Sequence, residues 1–399
     1  CSSGGPKGGA GAAGSTGTGT AGQAGPGQGG SAGLAASGQA GTTGQAGTGQ
    51  AGTTSAAGTN GAAGTNGAAG ATGTAGTMAC VNMTGGTPAV GGLFTQPEPW
   101  TKDVSTLPAA CRSPAIIAAL GNWGGGRLQI DFSIPLFLAD GTTPRQTITG
   151  PAGARYCYGG LDCDPVPLQM PLPTNGNAEG SPNYTCDTSY KTDGQGDCHV
   201  LVVETSELKL YELYNATKSA TAFTALGAFV WDLTKAYPDN LRGDQCTSAD
   251  AGGFPIAGLL PTADEVAAGS VAHALRFILP NATMKKDVYV HPASHAGGPS
   301  STDPNAPPYG VRLRLRASFD ETKFDAGERV IIQAMKTYGM LLSDGGTIAL
   351  TFADDRTTKA KWAGVGVTAL SFASVKVTDF EVVDLPAEIA LTDNCVRNP

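Results

Sequence analysis

HVLVVETSELKLYELY, residues 199–214, holds two runs of aliphatic, β-branched and aromatic residues around a polar centre, the pattern of two strands joined by a turn. A two-residue connection at Thr205 and Ser206 predicts that His199 lies opposite Glu212, behind the pairs Leu201/Leu210 and Val203/Leu208. An imidazole then stands beside a carboxylate, which favours the imidazolium, fixes the tautomer and suits a general base. The same pair also serves as an ordinary structural contact at a strand end. Register decides, because a slip of one residue sends Glu212 to the other face.

Further strands are expected on both sides of this hairpin, at Leu128 to Leu138, Ala225 to Leu233, Val271 to Leu279, Val288 to Val290, Val311 to Phe319, Thr347 to Phe352, Val365 to Phe372 and Val375 to Val383. Three short helices interrupt them. Ser113 to Leu120 opens with a capping serine and a proline at the first helical position. A second helix starts at Thr262 with Glu265 three residues on and stops by Gly269, and a third follows the Asp325/Glu328 cap and ends at Gly339. Many strands, few helices and no regular alternation predict an all-β fold, a mostly antiparallel β-sandwich or jelly-roll with inserted helices.

Strict alternation in Val311 to Arg316 puts Arg312, Arg314 and Arg316 on one face. That row suits an anionic or hydroxyl-rich ligand, since each guanidinium is a planar fork, and it equally suits pairing with the protein's own Asp and Glu. His273 sits inside a strand segment, and His291 and His295 flank Pro292-Ala293-Ser294, where Pro292 and Gly297-Gly298 favour a loop over a metal-binding helix. GxSxG, P-loop and dinucleotide fingerprints are absent, so neither metal nor cofactor is expected. The SDGG string at Ser343 to Gly346 reads as turn chemistry.

Residues 2–78 consist almost wholly of Gly, Ala, Thr, Ser and Gln, with a single charge at Lys7, and bury too little apolar area to offset the chain entropy of folding. They are expected to form a disordered tether with an end-to-end distance of about 50 Å. Cys1 ahead of such a tract is the expected site of lipid attachment, which moors residues 79–399, the disulfide-stabilised β-rich domain, to a membrane. Eight of the nine cysteines fall in that domain without paired CxxC units, so disulfides in an oxidising compartment are expected, with Cys157–Cys163 and Cys80–Cys395 as candidate bridges. The net charge of −8 argues against a nucleic-acid partner, and a monomer is expected.

The segments HVLVVE with LYELY, TSADAGGFPIAGLL, DEVAAGSVAHALRF, YVHPASH, PPYGVRLRLRAS and QAMKTYGMLLSDGG, with SPAIIAALG at Ser113, together resemble a family of exported bacterial lipoproteins. This chain has Glu204 where that family has Asp, and His291 where it has Trp. The resemblance implies an extracellular β-rich protein often found beside carbohydrate-processing modules. It marks His199, Glu204, Glu212, Asp250, His273, Arg276, His295, Arg312, Arg314, Tyr338 and Asp344 as polar positions within apolar segments. Such groups must pair when buried, so they should gather in one internal network or one cleft.

Two functions follow as expectations. The first is a carbohydrate-directed glycoside hydrolase or polysaccharide lyase displayed at the outer membrane or cell surface. Its acid and base are Glu204 with Glu212 or Asp250, its orienters His199 and His295, and its substrate-binding residues Arg312, Arg314, His273 and Tyr338. The second is a non-catalytic glycan-binding or scaffold lipoprotein in which the same residues form a structural network.

Overall fold

The computed structural model describes residues 84–153, 156–159, 162–186 and 197–399. The chain divides into two units, 1–73 and 74–399, and the described residues all belong to the second. The expected tether, Cys1 and Cys80 lie outside the described residues.

Strands dominate and helices are few. One six-stranded sheet runs in the order β1 (Ile130–Ile134), β14 (Leu350–Ala353), β10 (Leu275–Leu279), β13 (Met340–Gly345), β12 (Arg312–Leu315) and β15 (Phe380–Val383). The other runs β2 (Leu136–Ala139), β7 (His199–Glu204), β8 (Lys209–Lys218), β9 (Phe223–Asp232), β3 (Arg145–Thr149) and β4 (Leu168–Pro171). Two short ladders complete the set, β5 (Asn177–Ala178) with β6 (Ser181–Pro182) and β11 (Val288–Tyr289) with β16 (Ile389–Ala390). Both large sheets are mixed: β1/β14, β10/β13, β2/β7 and β3/β9 are parallel. Parallel neighbours arise because distant segments insert between hairpin partners, a long-range choice that strand propensity does not carry.

The expected strand Leu128 to Leu138 is two strands broken at Pro135, one in each sheet. Proline donates no ladder hydrogen bond and suits such a corner. Val365 to Phe372 is not a strand: Trp362–Val365 is a 3-10 turn and Gly366, at φ +74°, redirects the chain. Of Val375 to Val383 only Phe380–Val383 is extended.

All three expected helices form, but only the second and third carry the expected caps: Ser113 is the first residue of its helix behind Arg112, and its hydroxyl accepts from Val382 N at 2.8 Å instead of capping. The helices are α1 (Ser113–Leu120), α2 (Ala263–Ala268) and α3 (Ala326–Thr337). Thr262 Oγ1 accepts from Glu265 N at 3.2 Å while Glu265 Oε2 accepts from Thr262 N at 2.9 Å, a complete capping box. α1 packs on β15 and α3 on β12.

Alternate residues of β7 divide between two cores. Leu201 and Val203 join Phe277, Leu279 and Leu350 of the other sheet in the main core, while Val200 and Val202 pack with Tyr184, Met170 and Phe137 on the opposite face. The two large sheets therefore share one apolar interior, the main stabilising term of such a fold.

Three disulfides are Cys157–Cys163, Cys186–Cys198 and Cys246–Cys395, and Cys111 is also disulfide-bonded. The first matches expectation. Cys395 pairs with Cys246 and not with Cys80, because the C-terminal segment runs back along residues 242–244: Val396 N donates to Asp244 O and Asn398 N to Arg242 O. These bridges are the mark of an oxidising, extracytoplasmic environment. Among the described residues no helix is long and apolar enough to cross a membrane.

Candidate functional site

The hairpin that opens the sequence reading forms with a longer turn. Glu204 pairs with Lys209, so Thr205–Leu208 make the connection, His199 faces Tyr214, and Leu201 faces Glu212. Glu204 and Glu212 consequently project from opposite faces of β7/β8 and cannot act as acid and base on one bond. Glu204 instead closes the turn, accepting from Ser206 Oγ at 2.5 Å, from Ser206 N at 3.3 Å and from Glu207 N. Burial opposes its ionisation, yet these donors hold its pKa below the usual value. Replacing Glu204 with alanine is expected to cost about 1–3 kcal/mol, the worth of hydrogen bonds to a charged group, and to leave ligand binding unchanged. Urea unfolding beside a binding titration checks both halves.

Glu212 lies in the main core, where Oε2 accepts from Trp231 Nε1 and Oε1 from Ala257 N, both at 3.0 Å. Burial pushes its pKa up to about 7. The expected substrate row is a set of internal clamps. Arg312 is fully buried and donates to Pro99 O at 2.7 Å and Tyr338 O at 3.0 Å. Arg314 grips the carbonyls of Val104, Ser105 and Leu107 and pairs with Glu381 at 2.6 Å. Their forks satisfy an irregular N-terminal segment that lacks ladder partners. His273 is buried between Ala274 O at 2.8 Å and Glu265 at 3.3 Å, and Tyr338 ends α3. None of these four lines the main cavity.

That cavity measures about 520 Å³. Of the expected catalytic residues, only His199 and His295 line it. Around them stand Asp162, Asp197, Asp344 and Asp393, with Tyr214, Phe229 and Tyr309.

Behind the wall lies one buried ion cluster. Arg276 on β10 donates from Nη2 to Asp250 Oδ1 at 2.9 Å and to Asp344 Oδ2 at 2.8 Å, and from Nη1 to Thr351 Oγ1 at 2.8 Å. Asp250 has no exposed surface, which removes it as a contact for ligand, and its Oδ2 has no partner among the described residues. Burial pushes its pKa up to about 8 against the pull of Arg276. Asp344 keeps 24% of its side chain accessible and reaches the cavity, and burial raises its pKa too.

A β-bulge decides where Asp344 points. Phe277 pairs with Leu342 but Ile278 pairs with Asp344, so Ser343 is skipped and Asp344 turns to the face that Arg276 and Ile278 share. Gly339 prepares this register. Its φ of +75° reverses the chain from α3 into β13, and a Cβ there would meet Leu313 O at 2.7 Å.

His199 has acceptors on both ring nitrogens, Glu179 Oε2 at 2.6 Å on Nδ1 and Ala249 O at 3.0 Å on Nε2. Two acceptors require two N–H groups, so the ring is an imidazolium and not a base. Burial opposes that charge, but Glu179 outweighs it and lifts the pKa to about 9. Glu179 sits at the turn between β5 and β6, where Gly180 at φ +65° is the only local turn signal and nothing in the sequence singles out Glu179. His295 Nδ1 faces Ala251 O at 3.0 Å, and its Nε2 faces Asp393 at 3.5 Å.

Asp162 lies against Cys246 and Cys395 closely enough to resemble a metal-binding group, but the two sulfurs are bonded to each other and offer no thiolate.

Four buried groups share one sign of pH dependence. Glu98 and Asp250 are pushed by burial to about 8 and Glu212 to about 7, while the Glu179 charge holds His199 near 9. Each binds its proton more tightly folded than unfolded, so stability falls as pH rises, from about 4 to 8 for the carboxyls and from about 6.5 to 9 for His199. The free energy of urea unfolding is expected to drop by about 2 kcal/mol or more between pH 5.5 and pH 9, and the urea midpoint with it. A midpoint that climbs over that interval contradicts the assignment.

No known protein family, curated protein or solved structure matches this chain.

Proposed function

We propose that this chain is an extracytoplasmic saccharide-binding protein, built as a two-sheet sandwich and tethered to a membrane by lipid on Cys1. The observation that carries the reading is the 520 Å³ cavity, whose wall sets carboxylates beside the rings of Tyr214, Phe229 and Tyr309. Carboxylates accept from hydroxyls, aromatic faces pack on the C–H face of a sugar, and the volume lies within the ~300–1,000 Å³ of small-molecule sites. Uronates fit poorly because their charge repeats that of the wall, so β-elimination drops out of the proposal. Non-catalytic binding moves ahead of hydrolysis because Glu204 and Glu212 are engaged inside the fold. Display at an outer membrane or cell surface, and membership of the exported lipoprotein family that the sequence resembles, belong to the same proposal.

One observation favours hydrolysis as a second reading. Asp344 is a cavity-facing carboxyl whose pKa burial raises, which is what the acid of a glycosidase requires. Titration against a panel of neutral, basic and uronic oligosaccharides, followed by assay for new reducing ends, separates the two. Binding without product is expected. Product that disappears in Asp344→Asn would make the protein a hydrolase, and a panel that yields neither binding nor product removes the saccharide. Labelling with radioactive palmitate, lost on Cys1→Ser, tests the anchor.

A further inference from the structure

We infer that the ligand of this cavity carries a protonated primary amine, as does a saccharide built from amino sugars whose nitrogen is not acylated. This rests on the saccharide reading above. The described lining holds the carboxylates of Asp162, Asp344 and Asp393, besides that of Asp197, which is engaged in an interaction of its own, and contains no lysine or arginine. Nearby cations are engaged elsewhere. Arg276 serves both Asp250 and Asp344, His199 is held by Glu179, and Arg242 donates to Asp164 and to the Asp162 carbonyl. One guanidinium shared between two carboxylates leaves negative charge in excess.

Neutral donors on the wall turn inward as well. The Ser248 hydroxyl donates to Phe254 O at 2.5 Å, Gln245 Nε2 to Tyr289 Oη at 3.1 Å and Ala390 O at 3.0 Å, and His295 Nδ1 faces Ala251 O. Three wall donors are thus spent inside the protein, and although Asn281, Tyr214 and Tyr309 also carry donors on the wall, the formal charge of the space comes from carboxylates. A hydroxyl asks for both, whereas an ammonium brings three donors and no acceptor. The rings of Tyr214 and Tyr309 add faces that attract a cation, while Phe229 already has the Arg242 guanidinium 5.1 Å from its ring centre. The volume exceeds what an amine alone fills, so the charge arrives on a larger body.

Isothermal titration of the full chain at mildly acidic pH compares oligomers of glucosamine, N-acetylglucosamine and glucose with a simple aliphatic diamine. The glucosamine oligomer is expected to bind at least about tenfold more tightly than its acetylated counterpart, with a preference that salt erodes. Asp344→Asn should weaken glucosamine binding severalfold more than it weakens binding of the glucose oligomer, because it removes charge while keeping an acceptor oxygen. Asp393→Asn should do the same at a position 77% exposed, where folding is not at stake. Equal or tighter binding of the acetylated oligomer overturns the amine and leaves the saccharide reading standing. A diamine that matches the glucosamine oligomer upholds the amine and removes the saccharide, and silence from every titrant overturns both.

Discussion

Replacing Arg276 with methionine is expected to cost about 3–5 kcal/mol of stability near pH 8, because it strands carboxylates that one guanidinium neutralises inside the fold. Asp250 is the reason for the size of the effect. It has no accessible surface, both hydrogen bonds to its carboxylate come from Arg276, and its second carboxylate oxygen has no partner among the described residues. The loss should shrink toward pH 5, where a carboxyl whose pKa is raised by burial accepts a proton and sheds its charge. Adding Asp250→Asn to the methionine variant should return part of the lost stability, since it removes the stranded anion and keeps the shape. Urea unfolding of the single and double variants at both pH values reads all of this. Equal stability at pH 8, or no recovery in the double variant, would show that the cluster does not hold these sheets together.

Opening the Cys246–Cys395 bridge, by alanine at both positions, is expected to cost about 2–5 kcal/mol. The bridge closes a sequence separation of 149, against 12 for Cys186–Cys198, and loop-closure entropy grows with the length closed. It should therefore outweigh the shorter bridge in parallel unfolding curves of the two double-alanine variants. It also holds the last turn of chain in place: Val396 and Asn398 bond to residues 244 and 242, and Asp393 stands at the cavity beside His295. Loss of the bridge should accordingly weaken ligand binding at temperatures where the domain is still folded. A variant of unchanged stability and affinity would mean that the noncovalent contacts of residues 390–399 suffice.

Much of the secondary structure was legible because its signals are local. Thr262 with Glu265 and Asp325 with Glu328 announce helices through backbone groups a few residues away, and HVLVVE forms the strand its composition predicts. Alternation in Val311 to Arg316 was equally readable: Val311, Leu313 and Leu315 are in the core. What Arg312 and Arg314 hold was not, since the carbonyls of Pro99 and Leu107 that they bind lie more than 200 residues earlier in the chain. The hairpin shows the same limit at short range. His199 and Glu212 do share a face, but a turn two residues longer than expected moved them out of opposition and gave Glu212 to Trp231.

Sequence by itself determined the strand-rich class, the helices capped at Thr262 and Asp325, the wealth of disulfides and the alternation that puts Val311, Leu313 and Leu315 on one face. Tertiary structure alone decided that Asp344, within a string that reads as a turn, reaches the cavity, because a one-residue bulge against β10 sets which face it joins. It decided likewise that Glu179 from a two-residue turn charges His199, and that Asp250 is sealed behind the wall. The physical reason is range. Caps and alternation depend on neighbours within one turn or one pleat, whereas register, bulges and ion partners depend on which distant segment completes the sheet.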